Sequence, residues 1–534
     1  MVQSLNKATE WLNLSEISAN RWPGKIKVRC KQDRFICHME CDKSIVADVC
    51  NWLFSELDYS FASLVVEDLA SEQLLTYIFY GGFGNGLICV SYRISNSTTT
   101  VPSISNLIHA VDWHEREIED LFGLVFEGHP RLGDFVLHEE WPEGINPMRA
   151  DFDPSNPYIH REVDPDWRPL RIVQSPGAFM MPIGPVYSDF AESAHFLLET
   201  VGEDVIRIIP RFFYKYRGIE KIAEGNAVEH VILLAERFSG TSAFAHSLAL
   251  CKAVENISGI EVPPRAKALR IVLAELERLR HHIGAIAGIC SSTAFAVATS
   301  QASILEEELL RLSGVLTGHR YLFGLNILSG LSIDLADDAI GMLAKNLRGL
   351  MVELNKLKKL LYFSSSFLDR LEEVGAVSLE DAVSHGLVGP VARASGLLRD
   401  IRKVLPYSGY EKLDFTVPGE EEGDGYARLR VLFAEAEQSV NIINQVASSL
   451  PPGSVNAKSF RIAPGEALGW VEAPRGASFH WIRVGEDGRV LRYRLTTPSF
   501  SNWHGFHLAA ENFAFQDFPI IMATFGLSNA ESDR

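Results

Sequence analysis

The sequence has no two cysteines separated by two residues, no uninterrupted apolar run of membrane-spanning length and no excess of basic residues. Each absence removes a class of function. Without a CxxC pair, the common zinc and iron-sulfur ligand patterns have nothing to build on. The seven cysteines (Cys30, Cys37, Cys41, Cys50, Cys89, Cys251 and Cys290) form an odd set with irregular spacing, which predicts free thiols. Fifty basic against 68 acidic residues leave a formal charge of -18. That balance excludes a phosphate-reading protein and unassisted docking on anionic lipid. The most apolar window, Ile283 to Thr299, is interrupted by Ser291, Ser292 and Thr293 and follows His281 and His282, so it reads as a buried helix rather than a membrane span. Met1 to Leu12 lack a positive segment followed by an apolar core, so no secretory signal is expected and the chain is expected in the cytoplasm. There is no internal repeat and no low-complexity tract.

What is present describes a globular protein of several domains. In 534 residues, 47% are hydrophobic and 22% charged, enough to bury a large interior. Residues 1–150 mix β-branched and aromatic runs such as Leu87 to Ile94 with helical stretches such as Ser44 to Leu57, which predicts an α+β domain. Residues 151–176 carry Pro154, Pro157, Pro165, Pro169 and Pro176 with little periodicity, which predicts an extended interdomain linker. Residues 177–534 form the second domain, and from about residue 190 the pattern turns helical. Leu269, Val272, Leu273, Leu276, Leu279 and Ile283 recur at three- and four-residue intervals, marking a core-facing stripe. Further helices are expected at Ala298 to Thr317, Asp337 to Leu371 and Tyr426 to Leu450. After Pro464 the pattern alternates as strands do, and Gly485-Glu486-Asp487-Gly488 predicts a hairpin turn. The fold class is therefore α+β, with a mainly α-helical second domain that keeps a small β portion. Arg428, Arg430, Glu435 and Glu437 read as a charged helix face that pairs internally or docks a neighbour.

Longer strings carry a resemblance. Glu115 to Leu132 (EREIEDLFGLVFEGHPRL), continued by Pro147 to Phe152 (PMRADF), resembles the signature of the small hydrophilic subunit of complex I that abuts the quinone-reducing subunit. The remainder resembles the large subunit of membrane-bound, energy-converting [NiFe] hydrogenases and its complex I relative. The matching blocks are IGP (Ile183 to Pro185), YRGIEK (Tyr216 to Lys221), AVENISGIEVPPRA (Ala253 to Ala266), GPVARASG (Gly389 to Gly396), EAPRG (Glu472 to Gly476) and the terminal SDR (Ser532 to Arg534). The two resemblances follow the fused order of the group 4 large subunits of the formate hydrogenlyase and hydrogenase-4 type.

The resemblance also says what is missing. A nickel-iron centre takes four thiolates from two CxxC pairs, because soft sulfur suits low-valent metal. Here the first pair maps to Ser239 and Ser242, and the second to Ser528 and Glu531. Hard oxygens at all four positions imply a chain without nickel and without hydrogen turnover. The end at Arg534 resembles the complex I form, so no C-terminal maturation step is expected. The complex I relative holds a quinone headgroup through a histidine and a tyrosine, which map to Tyr187 and Gly240. What the resemblance retains is Glu192 as the proton-transferring carboxylate, Arg475 over the former metal site, and His246 after the first pair. With Tyr187, these are the candidate catalytic residues. The same residues have plainer readings: Glu192 as a surface carboxylate, Arg475 as partner of a structural acid, His246 as a satisfied core histidine. Asp400, Asp414 and Asp424 lie in matching blocks and receive no chemistry.

The resemblance implies a cytoplasmic subunit, peripheral on the inner face of the membrane. Electrons would reach its cavity from an iron-sulfur small subunit and a ferredoxin-like subunit, and membrane subunits would move ions. It implies no cofactor held by this chain itself, with an iron-sulfur cluster in the neighbouring subunit and a quinone as a possible acceptor. The alternatives are a non-catalytic scaffold that bridges the iron-sulfur and membrane arms, and a quinone-reducing subunit of the NADH dehydrogenase type.

Overall fold

A computed structural model describes residues 14–31, 36–69, 71–82, 86–163, 174, 176–187, 192–457 and 459–534. The chain divides into two compact units, residues 1–170 with 384–386, and residues 171–383 with 387–534.

In the first unit, strands β1 (Ile26–Lys31), β2 (Ile36–Cys41), β3 (Tyr59–Asp68), β4 (Glu72–Gly81) and β5 (Gly86–Ser95) form one sheet in the order β1-β2-β5-β4-β3. β2 and β5 pair in parallel and the other neighbours are antiparallel. The run rich in Val, Ile and Tyr at Leu87 to Ile94 lies inside β5, as its composition predicts. The helical stretch after Ser44 begins as α1 (Val46–Asn51) and continues in further turns to Glu56. The charged string from Glu115 lies in α2 (Asp112–Phe122), closed by Gly123 in the left-handed conformation. It is no solvated face, because Glu115, Arg116 and Glu117 are buried. Residues 151–163 turn back on this unit: Arg161 donates from its backbone N to Glu140 O at 3.1 Å and from Nε to Glu139 O at 2.6 Å, and it pairs with Asp134 at 2.8 Å. Most of the rest of the expected linker, residues 164–173 and 175, lies outside the described residues. One cysteine expectation is corrected here. Cys30 and Cys37 face each other across β1 and β2 and are joined as a disulfide, because antiparallel pairing sets them in register. Cys41, Cys50, Cys251 and Cys290 are free thiols, and Cys89 forms no disulfide among the described residues.

The second unit is built on long helices. α3 (Val228–Arg237), α4 (Ala243–Ser258), α5 (Pro264–Ser292), α6 (Ala296–Thr317), α7 (Asp337–Tyr362), the short α8 (Gly389–Ala394) and α9 (Gly425–Ser448) carry most of it. The string AVENISGIEVPPRA is the corner between two of them. Gly259 ends α4 at φ 63°, and Pro264 opens α5 at a position that needs no backbone N–H. Leu269, Val272, Leu273, Leu276, Leu279 and Ile283 are all buried along α5, each contributing about 1.5–3 kcal/mol of burial. The helix expected at Asp337 to Leu371 ends at Tyr362, and a separate turn follows at Ser365–Leu368. Phe363 and Ser364 break the ladder there, with Phe363 exposed.

Three sheet strands complete the hairpin expected after Pro464: β6 (Gly465–Ala473), β7 (Gly476–Val484) and β8 (Val490–Thr496), antiparallel throughout. They lead into α10 (Pro498–Ala509), α11 (Phe518–Phe525) and a last turn, α12 (Asn529–Ser532). The four charges of α9 do not share a face. Arg428 and Glu435 point inward and are buried, whereas Arg430 pairs with Glu422 at 2.6 Å and Glu437 with Lys358 at 3.3 Å toward solvent. Charged side chains seven residues apart follow the core stripe of the helix, which composition alone assigns to the surface. Among the described residues no helix is long and apolar enough to cross a membrane.

Candidate functional site

The site lies where the start of α4, the turn between β6 and β7, and the C-terminal α12 meet. Ser242 is the residue before α4 and is fully buried. His246 sits one turn into that helix. Arg475 occupies the tight β6–β7 turn, and His480 and Ser478 lie on β7 at alternate positions, so both point to one side. Ser528 caps α12 by accepting from Glu531 N at 3.2 Å. That cap brings the Glu531 carboxylate inward.

Glu531 is the centre of the arrangement and is wholly buried. His246 Nε2 stands 3.0 Å from its Oε1, Ser499 Oγ donates to its Oε2, and Arg475 Nη1 lies 3.9 Å from Oε2. Burial works to raise its pKa, but the Arg475 charge and the His246 and Ser499 hydrogen bonds outweigh it, so the carboxyl is held below its ordinary range. Arg475 is fixed in turn by Gly526 O at 2.7 Å, Thr241 Oγ1 at 2.8 Å and Ser242 Oγ at 3.5 Å.

A line of hydrogen bonds runs from Glu531 into the β7–β8 sheet. His246 Nδ1 is 3.1 Å from His480 Nε2, and His480 Nδ1 is 2.7 Å from the Tyr493 hydroxyl. Burial keeps the Tyr493 phenol protonated by pushing its pKa far up, and burial followed by His246 pushes His480 well below its ordinary value. The tautomers follow from these two conditions. Tyr493 donates to His480 Nδ1, His480 Nε2–H donates to His246 Nδ1, and His246 Nε2–H donates to Glu531.

Glu192 is half-buried and binds the other half of α12. Ser528 Oγ stands 3.0 and 3.1 Å from its two oxygens, and Ala530 N donates at 2.9 Å. Of the four candidate catalytic residues, the fold thus brings Glu192, His246 and Arg475 onto the positions of the second pair. Tyr187 stands apart, with its hydroxyl donating to Ala194 O at 3.0 Å. Ser239 is buried and its hydroxyl has no hydrogen-bond partner among the described residues. His480, Tyr493, Ser499 and Thr241 are site residues that sequence reasoning missed. The buried alternation of Ser478 and His480 in a strand-like run was the available signal.

Neither implied group fits these residues. For nickel and iron, the donors are hard oxygens already spent: Ser528 on Glu192, Glu531 on Arg475, His246 and Ser499. The Arg475 guanidinium already supplies the positive charge beside Glu531. Among the described residues no group of three or more His, Cys, Asp and Glu side chains is arranged to hold a metal ion. For a quinone headgroup, Tyr187 is committed to Ala194, Gly240 has no side chain, and both His246 nitrogens are occupied.

Comparison with known proteins divides along the same seam. Residues 39–158 match the respiratory-chain NADH dehydrogenase 30 Kd subunit family, and residues 292–464 and 456–534 match its 49 Kd subunit family. Residues 217–284, which hold Ser239, Ser242 and His246, match the nickel-dependent hydrogenase family. Similar proteins include formate hydrogenlyase subunit 5 of Escherichia coli, 31% identical over 84% of this chain and 79% of its own length. Hydrogenase-4 component G of the same organism is 28% identical over 84% and 78%. The C/D subunit of NADH-quinone oxidoreductase from Bdellovibrio bacteriovorus is 28% identical over 79% and 81%.

Proposed function

This chain belongs to the family of fused 30 Kd and 49 Kd respiratory-chain NADH dehydrogenase subunits and their relatives among hydrogenase-type large subunits, and from that premise we propose what it does. It serves as the large subunit of a complex I-like, energy-converting oxidoreductase, taking part in electron transfer coupled to ion translocation without a nickel-iron site. The observation that carries the reading is the closed arrangement of Arg475, His246 and Glu192 around Ser528 and Glu531, the positions of the second pair.

These residues can hold charge and move protons, which is what coupling needs from a site that binds no metal. Arg475, fixed by three acceptors, balances the Glu531 charge. Loss of that balance, by arrival of negative charge nearby, would favour protonation of Glu531 through His246. His480 and Tyr493 act from behind as orienting groups, since donation along the line fixes the His246 tautomer with its Nε2–H facing Glu531. Glu192, half-exposed and bonded to Ser528 Oγ, is the group placed to exchange protons with water.

The iron-sulfur partner subunits, the membrane arm, attachment to the inner face of the membrane and a quinone as acceptor belong to this proposal. The names of the relatives, as subunits or components of larger enzymes, support a place in a multisubunit assembly. The scaffold reading is favoured by one observation, that every strong donor at the site is already spent. Glu192→Gln and Arg475→Ala in the intact assembly separate the two. Loss of electron transfer with assembly preserved supports the oxidoreductase; full activity in both variants leaves the scaffold.

A further inference from the structure

Behind the β6–β7 turn lies a second cluster that the site does not use. Arg278 of α5, Arg393 of α8 and Arg402 face Glu275 of α5, Asp400, Glu435 of α9 and Glu472 of β6, all at most 1% exposed in their side chains. The contacts are continuous. Arg393 meets Glu435 at 2.6 Å, Glu472 at 2.8 Å and Asp400 at 3.9 Å; Arg402 meets Asp400 at 2.6 Å and Glu275 at 2.9 Å; Arg278 meets Glu275 at 3.2 Å. His282 Nε2 closes the far end, 2.9 Å from Glu435.

The charges do not cancel. Three guanidiniums, which stay protonated in proteins, face four carboxylates, leaving one uncompensated negative charge in a dry interior if every acid is ionised. One added proton removes it. The donors identify where that proton resides. Glu275 accepts from Arg402, Arg278, Tyr410 and Ser439. Asp400 takes the forked Arg402 guanidinium, and Glu435 takes Arg393 and His282. Glu472 has only Arg393 on Oε1 and Ile401 N on Oε2, with the Asp400 charge close by. Protonating His282 instead would place an N–H at its Nδ1, which is buried without a partner.

The other groups facing the cluster do not settle the balance. Tyr407 approaches Glu472 N through its hydroxyl, and His281 neighbours Arg475 and His282. Lys252 of α4 lies over the Tyr407 ring, and the charges it meets are Glu255 and Arg270 rather than these acids.

We propose that this cluster is a single-proton loading site, with the proton resident on Glu472, whose affinity rises when negative charge arrives on the Arg475 side of the turn. The link is structural. Arg278 donates to Glu472 O at 2.5 Å and Ala473 O at 3.1 Å, so the guanidinium of the cluster grips the strand that leads into Arg475. No electron or co-reactant is consumed: a carboxylate and a proton become a carboxylic acid. The coupling half rests on the reading of the chain as an energy-converting subunit; the single proton does not.

Infrared difference spectroscopy of the intact assembly tests both. In a pH titration, the wild type should show a carboxylic acid C=O band that shifts in D2O and is lost in Glu472→Gln but kept in Glu192→Gln and His282→Gln. A band set unchanged in Glu472→Gln, or the loss of that band in His282→Gln, overturns the assignment. If the amide variant does not accumulate, Glu472→Asp must move the band or its titration midpoint, and an unmoved band and midpoint likewise overturn it. In a second arm, reduction of the assembly should increase the band. A band that titrates yet ignores reduction in an assembly that turns over overturns the coupling half. An assembly with the band but with no redox turnover or ion movement contradicts the proposed function while leaving the proton on Glu472.

Discussion

The serines at the former ligand positions differ in what they do, and substitutions separate them. Ser239 Oγ is buried without a partner, so Ser239→Ala removes an unsatisfied hydroxyl and should leave stability unchanged or raise it by about 0.5 kcal/mol. Ser528 holds Glu192 and caps α12, so Ser528→Ala should cost about 1 kcal/mol from the cap alone. Denaturant unfolding of the full chain reads both, and equal costs would contradict the geometry. Glu531→Gln removes the charge facing Arg475 and should cost about 3–5 kcal/mol, the range for stripping one partner from a buried pair. Glu531 was legible as a departure from the family pattern. Its partner Ser499 on α10, and His480 on β7 behind His246, were not, because only the folded sheet and helix bring them to it.

At the scale of elements, the long periodic helices were readable because burial follows a 3.6-residue period, and the hairpin because Gly485 to Gly488 form its turn. Less readable were places where tertiary contact overrides local character. Glu115 and Glu435 look like surface charges in their strings, yet each is buried on a helix whose polar partners come from distant segments. Gly469 in β6 is another case. A Cβ there would meet Ala249 O at 1.9 Å, because α4 crosses the strand backbone to backbone. Gly469→Ala should therefore cost about 1–3 kcal/mol or more, read as a lowered denaturation midpoint of the full chain. An unchanged midpoint would mean that α4 and β6 are not in direct backbone contact. The disulfide of Cys30 and Cys37 was hidden for a related reason, since pairing register, not spacing, places the two thiols together.

For the whole molecule, buried carboxyls of opposite tendency set the dependence of stability on pH. Burial, partly offset by the Ile104 N–H and Ser103, pushes Glu115 up to about 7, and Glu277 is likewise raised by burial to about 7. Burial, partly offset by two backbone N–H groups, raises Asp533 to about 6. For these three the folded pKa lies above the unfolded one, so their contribution is full below the ordinary carboxyl range and lost as pH rises through 6 to 7. Glu531, Glu435, Asp400 and Glu275 behave oppositely: burial is outweighed by arginines, and their contribution is lost as pH falls below the ordinary range. The share of these carboxyls in the melting temperature should therefore be highest near the ordinary carboxyl range and decline as pH rises toward 7, against the opposite slope of the buried His281, His282 and His480, whose lowered pKa values add stability as pH rises. Glu115→Gln should flatten that decline, since Ser103 Oγ can accept where it now donates. The same pH slope in the wild type and in Glu115→Gln between about pH 5 and 7 would contradict the Glu115 assignment.

The fused order of a small-subunit-like first part and a hydrogenase- and complex I-like remainder was visible in its motifs and returns in the family matches, which alone separate residues 217–284 as hydrogenase-like from residues 292–464 and 456–534 as 49 Kd-like. His246 lies in the stretch that matches the nickel-dependent hydrogenase family and Glu531 in one that matches the 49 Kd family, and the two stand 3.0 Å apart. With Arg475, this contact occupies the place that the family resemblance assigns to a metal centre. Nickel content per chain is read by elemental analysis of the intact assembly purified from nickel-supplied cells. No nickel above background is expected, in the wild type and in Glu531→Gln alike; one nickel per chain would overturn the reading of a metal-free site.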